Sequence, residues 1–213
     1  MRLPENFKKR IAMTTVGVTL CAIAVGFFKC SQFGVDPFQC FAQGLWGHFF
    51  KHQFSFGFYY TVLSGILLLL DLFIARECMG AATLVNMFLT GYIVDFTCLV
   101  IRYFTPTPSL ALRVLFLAVA VLVMCFASSL YMTSNLGVSV YDAIPIVISK
   151  RRALPFRFVR IDCDLFCVII GALLGLLPGL GTLITAFFMG PLIEYFNHSF
   201  SEPFLRSEGK IRK

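Results

Sequence analysis

Apolar residues run through this chain in long, nearly unbroken stretches, without the strict alternation of an exposed sheet. Six stretches (11–28, 56–75, 81–101, 111–132, 161–177 and 180–200) lie near the roughly 20 residues an α-helix needs to cross a bilayer core. Each predicts a helix that is apolar all round, the pattern of a span or a deeply buried helix. Two shorter, more polar segments, 36–50 and 139–149, lie between them. Asp36 is a capping residue followed by Pro37 at the first helical position, and Ser139 is a capping type as well. The second short segment makes only about 17 Å of helix, near half a bilayer. The pattern predicts an all-α polytopic membrane helix bundle: six transmembrane helices plus two short re-entrant half-helices. Eight spans result if the short helices cross.

The same order of events occurs twice. Phe33-Gly34-Val35-Asp36-Pro37-Phe38 aligns with Leu136-Gly137-Val138-Ser139-Val140-Tyr141, 103 residues on. Thr83-Leu84-Val85 aligns with Thr182-Leu183-Ile184, and Gly91-Tyr92-Ile93-Val94-Asp95-Phe96 with Gly190-Pro191-Leu192-Ile193-Glu194-Tyr195, both 99 residues on. The first half thus carries four extra residues, placed around 47–54. Self-similarity at a fixed offset marks a repeat architecture. The expected units are a first membrane repeat over 1–105, a second over 106–200 and a basic cytoplasmic tail over 201–213. If each repeat crosses three times, the second copy is inverted and matching motifs meet around an axis in the membrane plane. With eight spans the repeats are parallel.

Composition agrees with this reading. Charged residues are 14% of the 213 and hydrophobic residues 58%, with 25 Phe and a single Trp. A soluble domain holds about 25% charge, so a water-facing surface is excluded, and no room remains for an extramembrane catalytic domain. The formal charge of +7 reads as span-flanking positives rather than a nucleic-acid surface. With six spans and the N-terminus inside, every Lys and Arg except Lys29, Lys51, Arg102 and Arg113 lies inside. With eight, only Lys29 and Arg76 lie outside. Both counts put Lys150-Arg151-Arg152 and both termini in the cytoplasm. Arg2, Lys8, Lys9 and Arg10 before the first apolar run resemble a signal peptide, but Leu20 before Cys21 is a poor cleavage position, so the run is read as an uncleaved span. The eight Cys form no C-x-x-C pair, and neither a disulfide framework nor a metal site is expected.

The repeated motif carries the candidate chemistry. A helix that starts inside a membrane leaves first-turn N–H groups for protein, water or ligand to satisfy, and its N-terminus attracts anionic groups. The candidate binding site is therefore a central cavity lined by Gly34, Asp36, Pro37, Gln39, Gly137, Ser139, Tyr141 and Asp142. Intramembrane acids are the second signal. Asp95 and Glu194 occupy matched positions and are the ion-coupling candidates. Asp71, and Asp162 and Asp164 beside Arg157 and Arg160, sit near span ends and are read as solvated or salt-bridged. Arg157 and Arg160 join Lys150–Arg152 in a basic inner cluster able to dock a partner or anionic lipid. Gly171, Gly175 and Gly179 have the spacing of close helix packing, and Gly190-Pro191 should kink the last span. His48, His52 and His198 are read as interfacial. No Walker loop, nucleophile elbow or metalloprotease pattern is present.

Gly34-Val35-Asp36-Pro37-Phe38, its echo Gly137-Val138-Ser139-Val140-Tyr141-Asp142, and Gly179-Leu180-Gly181-Thr182-Leu183 with Gly190-Pro191-Leu192-Ile193 resemble the YczE/YitT-like bacterial integral membrane proteins. The resemblance covers nearly the whole chain. It departs from internal symmetry where the first copy has Gln39 and the second Asp142. It implies a multi-pass protein of the bacterial cytoplasmic (inner) membrane and supplies neither substrate nor catalytic residues.

The function expected is a small-solute transporter or permease, not an enzyme, with its binding site at the repeat interface. The alternative is a non-transporting substrate-binding or regulatory subunit of a membrane complex. Expected partners are the lipid bilayer, a small-molecule solute, and a second copy or another membrane protein; no nucleic acid and no cofactor are expected.

Overall fold

A computed structural model describes residues 7–53 and 56–206 of the chain. Arg2, Phe54 and most of the expected basic tail, 207–213, lie outside the described residues. The described chain is helical, with no strand among the described residues: α1 (Phe7–Ser31), α2 (Pro37–Leu45), α3 (Phe56–Ile74), α4 (Ala81–Phe104), α5 (Leu110–Ser134), α6 (Val140–Arg152), α7 (Phe156–Leu173), α8 (Leu180–Phe196) and a short α9 (Glu202–Arg206). Every apolar stretch and both short segments read from the sequence fall on these helices. The fifth stretch is displaced: α7 starts at Phe156 and stops at Leu173, because Pro178 cannot extend the helix and the chain turns over 174–179. Among the described residues, α1 and α5 are long and apolar enough to cross a membrane by length and composition, and α3 adds a shorter apolar run over Phe58–Ile74. That composition fits a membrane protein.

Local chemistry starts the short helices. The Asp36 carboxylate accepts from the Gln39 backbone N–H at 3.0 Å, with Pro37 at the first helical position. Ser139 Oγ accepts from the Asp142 N–H at 3.3 Å. α5 is capped by Ser109 and closes on Asn135 in the left-handed conformation.

The bundle is organised around α1 and α5, which pack along their length. They run antiparallel, and two matched arginines tie their ends. Arg10 Nη1 donates to the Ser134 carbonyl at 2.7 Å, and Arg113 Nε to the Ser31 carbonyl at 2.9 Å. Arg113 and Ser134 lie 103 residues after Arg10 and Ser31. Each guanidinium thereby satisfies a terminal carbonyl at the negative end of the opposite helix. Buried Ala24, Ala120, Met124 and Cys125 fill the seam, with Met189 and Ile193 of α8 against it.

Helix ends sort into two groups. At the first end lie Ser31, Arg113, and the start of α8, where the Gly181 N–H donates to the Phe33 carbonyl at 2.9 Å. A cavity lined by Lys51, Phe56 and Leu174 gathers the exit from α2, the start of α3 and the close of α7. At the opposite end lie Arg10 and Ser134. There Arg151 Nη2 donates to the Ile74 carbonyl at 2.7 Å, and the Val138 N–H to the Cys78 carbonyl at 3.1 Å. Ser129 bonds Ser201, and Thr133 donates to Asn197 at 3.1 Å. The exit from α2 thus lies at the first end, and the exit from α6 at the opposite end.

Candidate functional site

The loops entering α2 and α6 are built alike. Gly34 has φ +126° and Gly137 +131°, a conformation that L side chains rarely adopt. Two residues earlier, Gln32 (φ 58°) and Asn135 (φ 54°) are both left-handed. Each loop packs against the other half of the chain. A Cβ on Gly34 would stand 2.7 Å from Thr182 Oγ1 and 3.0 Å from the Gly179 backbone; a Cβ on Gly137 would stand 2.7 Å from Thr83 Oγ1 and 3.0 Å from the Gly80 backbone. Thr182 Oγ1 donates to the Val35 carbonyl at 2.5 Å and accepts from the Val35 N–H at 3.2 Å. The loop from the first half is thus seated on the start of α8, and its counterpart on the start of α4.

These exchanges bring the first turns of α2 and α6 together. Phe38 stacks on Tyr141 and also meets Tyr60 of α3, with centroids 5.9 Å apart. Beside this contact lies a buried ionic cluster. Arg160 of α7, 4% exposed, pairs with Asp142 through Nη1 and with Asp164 through Nε at 3.1 Å. Asp164 is fully buried and also accepts from the Tyr141 hydroxyl at 2.5 Å. Asp142 accepts from Tyr131 of α5 and from Ser139 Oγ at 3.0 Å. The Arg160 guanidinium lies over the Tyr141 ring, 4.7 Å from its centroid. Both carboxylates are fully engaged, as buried charges must be to persist.

The structure brings together the matched candidates. Gly34 and Gly137 shape the entry loops, Asp36 and Ser139 cap, and Pro37 is buried at the α2 start. Gln39 follows its cap on α2, while Tyr141 and Asp142 enter the ionic cluster. Asp36, Gln39, Ser139 and Tyr141 keep partial exposure. The ion-coupling candidates lie elsewhere. Asp95, with 81% of its side chain exposed, stands 3.9 Å from Lys29, and Glu194 stands 4.0 Å from Arg157. Neither contacts the cluster.

Arg160 corrects the sequence reading: it is not part of the exposed basic face with Lys150–Arg152. Asp164 is salt-bridged, one of the two roles expected of it, and is fully buried rather than near solvent. α7 begins earlier than the apolar run and so carries both residues inward on one face, whereas Arg157 and Asp162 remain exposed. The available signal was the i,i+4 spacing of Arg160 and Asp164 beside an apolar stretch, which places both on one helix face. Thr83 and Thr182 were matched in the sequence but carried no sign of a role in the site, and Tyr131 carried no signal. Of the packing glycines, Gly171 lies against α2, where a Cβ would meet the Cys40 carbonyl at 2.7 Å.

The profile of a family of unknown function (DUF6198) matches residues 8–198. An uncharacterized protein of Haemophilus influenzae is 24% identical over 188 residues, which is 88% of this chain and 83% of that protein. No solved structure matches.

Proposed function

Since the chain belongs to the DUF6198 family of unknown function, we propose a function from the site itself: a small-solute permease of the bacterial cytoplasmic membrane, binding its solute where α2 and α6 meet. The observation that carries this reading is the buried Arg160–Asp142–Asp164 cluster at the meeting point of two matched half-helices. Ionisable groups at such depth are costly and characteristically face a cavity or a pathway. Supporting it, α1 and α5 are antiparallel and their tying arginines are repeat-matched, which is the geometry of inverted repeats. The exit from α2 at the first end and from α6 at the opposite end favours six spans with two re-entrant half-helices over eight. Arg76 then lies at the same end as Arg151, as the positive-inside rule asks of the six-span count. The resemblance to YczE/YitT-like proteins bears on the membrane location in this reading and supplies no solute.

Charge selects the class of solute. Two helix N-termini contribute about half a positive charge each, and Arg160 one more. Against them stand Asp36, Asp142 and Asp164, so about one negative charge is in excess. Asp142 and Asp164 are occupied by Arg160, leaving the partly exposed Asp36. A small cationic solute fits this balance. Uptake of radiolabelled small amines, neutral solutes and organic anions into proteoliposomes tests the reading. Saturable amine uptake lost in Asp36→Asn is the expected result; no uptake of any class refutes it.

One observation favours the second reading, a regulatory or substrate-binding subunit. Lys150, Arg151, Arg152 and Arg157 form an exposed basic surface at one end. A stoichiometric protein co-purifying with wild type and lost when these residues are replaced would favour it.

A further inference from the structure

Two cavities occupy opposite ends of the bundle, and each is built on one of the short helices. The first, about 460 Å³, is lined by Gln43, Trp46, Gly47 and Phe56. The second, about 420 Å³, is lined by Val138, Ile146, Lys150 and Asn197. Gln43 and Gly47 of the first match Ile146 and Lys150 of the second at the same offset of 103 that relates Phe38 to Tyr141. The two cavities thus open onto matched positions of the two short helices.

Their floors differ. From the first cavity, one face of the short helix and its flanking turns carries Gly47, Gln43, Gln39 and Asp36, residues three or four apart. Gln43 Nε2 donates to Gln39 Oε1 at 3.4 Å, and the Gln39 N–H donates to Asp36 Oδ1 at 3.0 Å. This polar stripe is about 16 Å long, half a bilayer core, and ends at the proposed solute site. From the second cavity the matching stripe begins at Lys150 but meets Ile146, packed against the apolar cluster of Tyr131, Val138 and Val147. Behind Tyr131 lies Asp142.

Resting on the permease reading, we propose that the two cavities are the outer and inner vestibules of one central site, with the outer one joined to it by the Gln43–Gln39–Asp36 stripe and the inner one sealed from it by Ile146. The structure is then the outward-accessible state, and Gln43 and Ile146 are the paired positions that decide which side is open. Amide side chains can hydrate a moving cation along the stripe, whereas a branched aliphatic side chain at the same point excludes water.

Cysteine substitution with a membrane-impermeant quaternary-ammonium thiosulfonate tests this in oriented vesicles, read peptide by peptide so that native cysteines do not interfere. Gly47→Cys, Gln43→Cys and Gln39→Cys are expected to be modified from the outer side, and Lys150→Cys from the inner side. Ser139→Cys should resist modification from the inner side until Ile146→Ala is added. Thermal melting establishes that each variant is folded, and Gln43→Cys reads the stripe if the Gln39 variant does not fold. Sealing of both Gln39→Cys and Gln43→Cys from the outer side while Gly47→Cys reacts, or reaction of Ser139→Cys from the inner side with Ile146 intact, overturns the proposal. Absence of uptake with the labelling pattern retained would refute the permease reading and leave the route standing.

Discussion

Phe38 and Tyr141, 103 residues apart in the chain, stack ring on ring with centroids 5.0 Å apart and planes at 21°. Each is the second residue of its short helix. The stack is thus a contact between residues at matched places of the two similar sequence segments, and it holds the starts of α2 and α6 together. The rings are alike but the surroundings are not: only Tyr141 carries a hydroxyl, and it reaches Asp164.

Tyr141→Phe should keep the stack and lose that bond. A hydrogen bond to a charged group contributes about 1.5–3 kcal/mol, so the variant should fold and melt a few degrees lower in detergent. Tyr141→Ala loses the ring contact as well and should melt lower still. Equal melting of Tyr141→Phe and wild type would show that the Asp164 carboxylate does not depend on this bond.

Among the described residues, Arg160 is the basic side chain paired with both Asp142 and Asp164. Arg160→Met leaves two buried carboxylates uncompensated and should cost about 3–5 kcal/mol. Arg160→Met combined with Asp142→Asn and Asp164→Asn removes the stranded charge and should recover much of the stability. Unfolding curves of the single and triple variants check this; a triple variant no more stable than the single one would count against a charge-compensation role.

Gly34→Ala and Gly137→Ala should each destabilise strongly, since a side chain is strained at their φ values and its Cβ would collide with a threonine hydroxyl of the other half. Backbone strain alone costs about 1–3 kcal/mol. Gly91→Ala, a helical site where a Cβ meets nothing within 4 Å, should be neutral or stabilising by up to about 1 kcal/mol. Thermal melting of the three variants compares them directly.

Asp71 offers a contrast within the acids. It is 1% exposed, and its Oδ2 has no hydrogen-bond partner among the described residues. An unsatisfied buried polar group is a cost rather than a support, so Asp71→Leu should hold or raise the melting temperature. Amine uptake should survive Asp71→Ala and be impaired by Asp36→Ala and Asp142→Ala. Equal, negligible effects of all three would remove the central-site idea.

The helices were legible because each apolar run is long and each short helix opens on a recognisable cap. The entry loops were legible because Gly, Val and Thr recur at fixed offsets, and those residues prove to be the ones that seat each loop on the other half. Arg160 and Asp164 were not legible as a buried pair. Their burial depends on where α7 begins and on which face meets α6, and hydropathy averaged over a stretch does not register a single inward-facing ion pair. The depth-matched Asp95 and Glu194 illustrate the reverse. Position along a helix is readable from sequence, but rotation about its axis is set by packing partners, and packing turned Asp95 outward.

Sequence by itself therefore determined the helical class, the order and bounds of most helices, and the caps and glycines at the loop entries. These depend on local propensity and on residue spacing. Tertiary structure alone decided that α1 and α5 lie antiparallel, that each loop docks on the opposite half, and that one guanidinium is held between Asp142 and Asp164. Those features arise from contacts between residues up to 147 positions apart, as between Val35 and Thr182, and a packed interior fixes them only once both halves have come together.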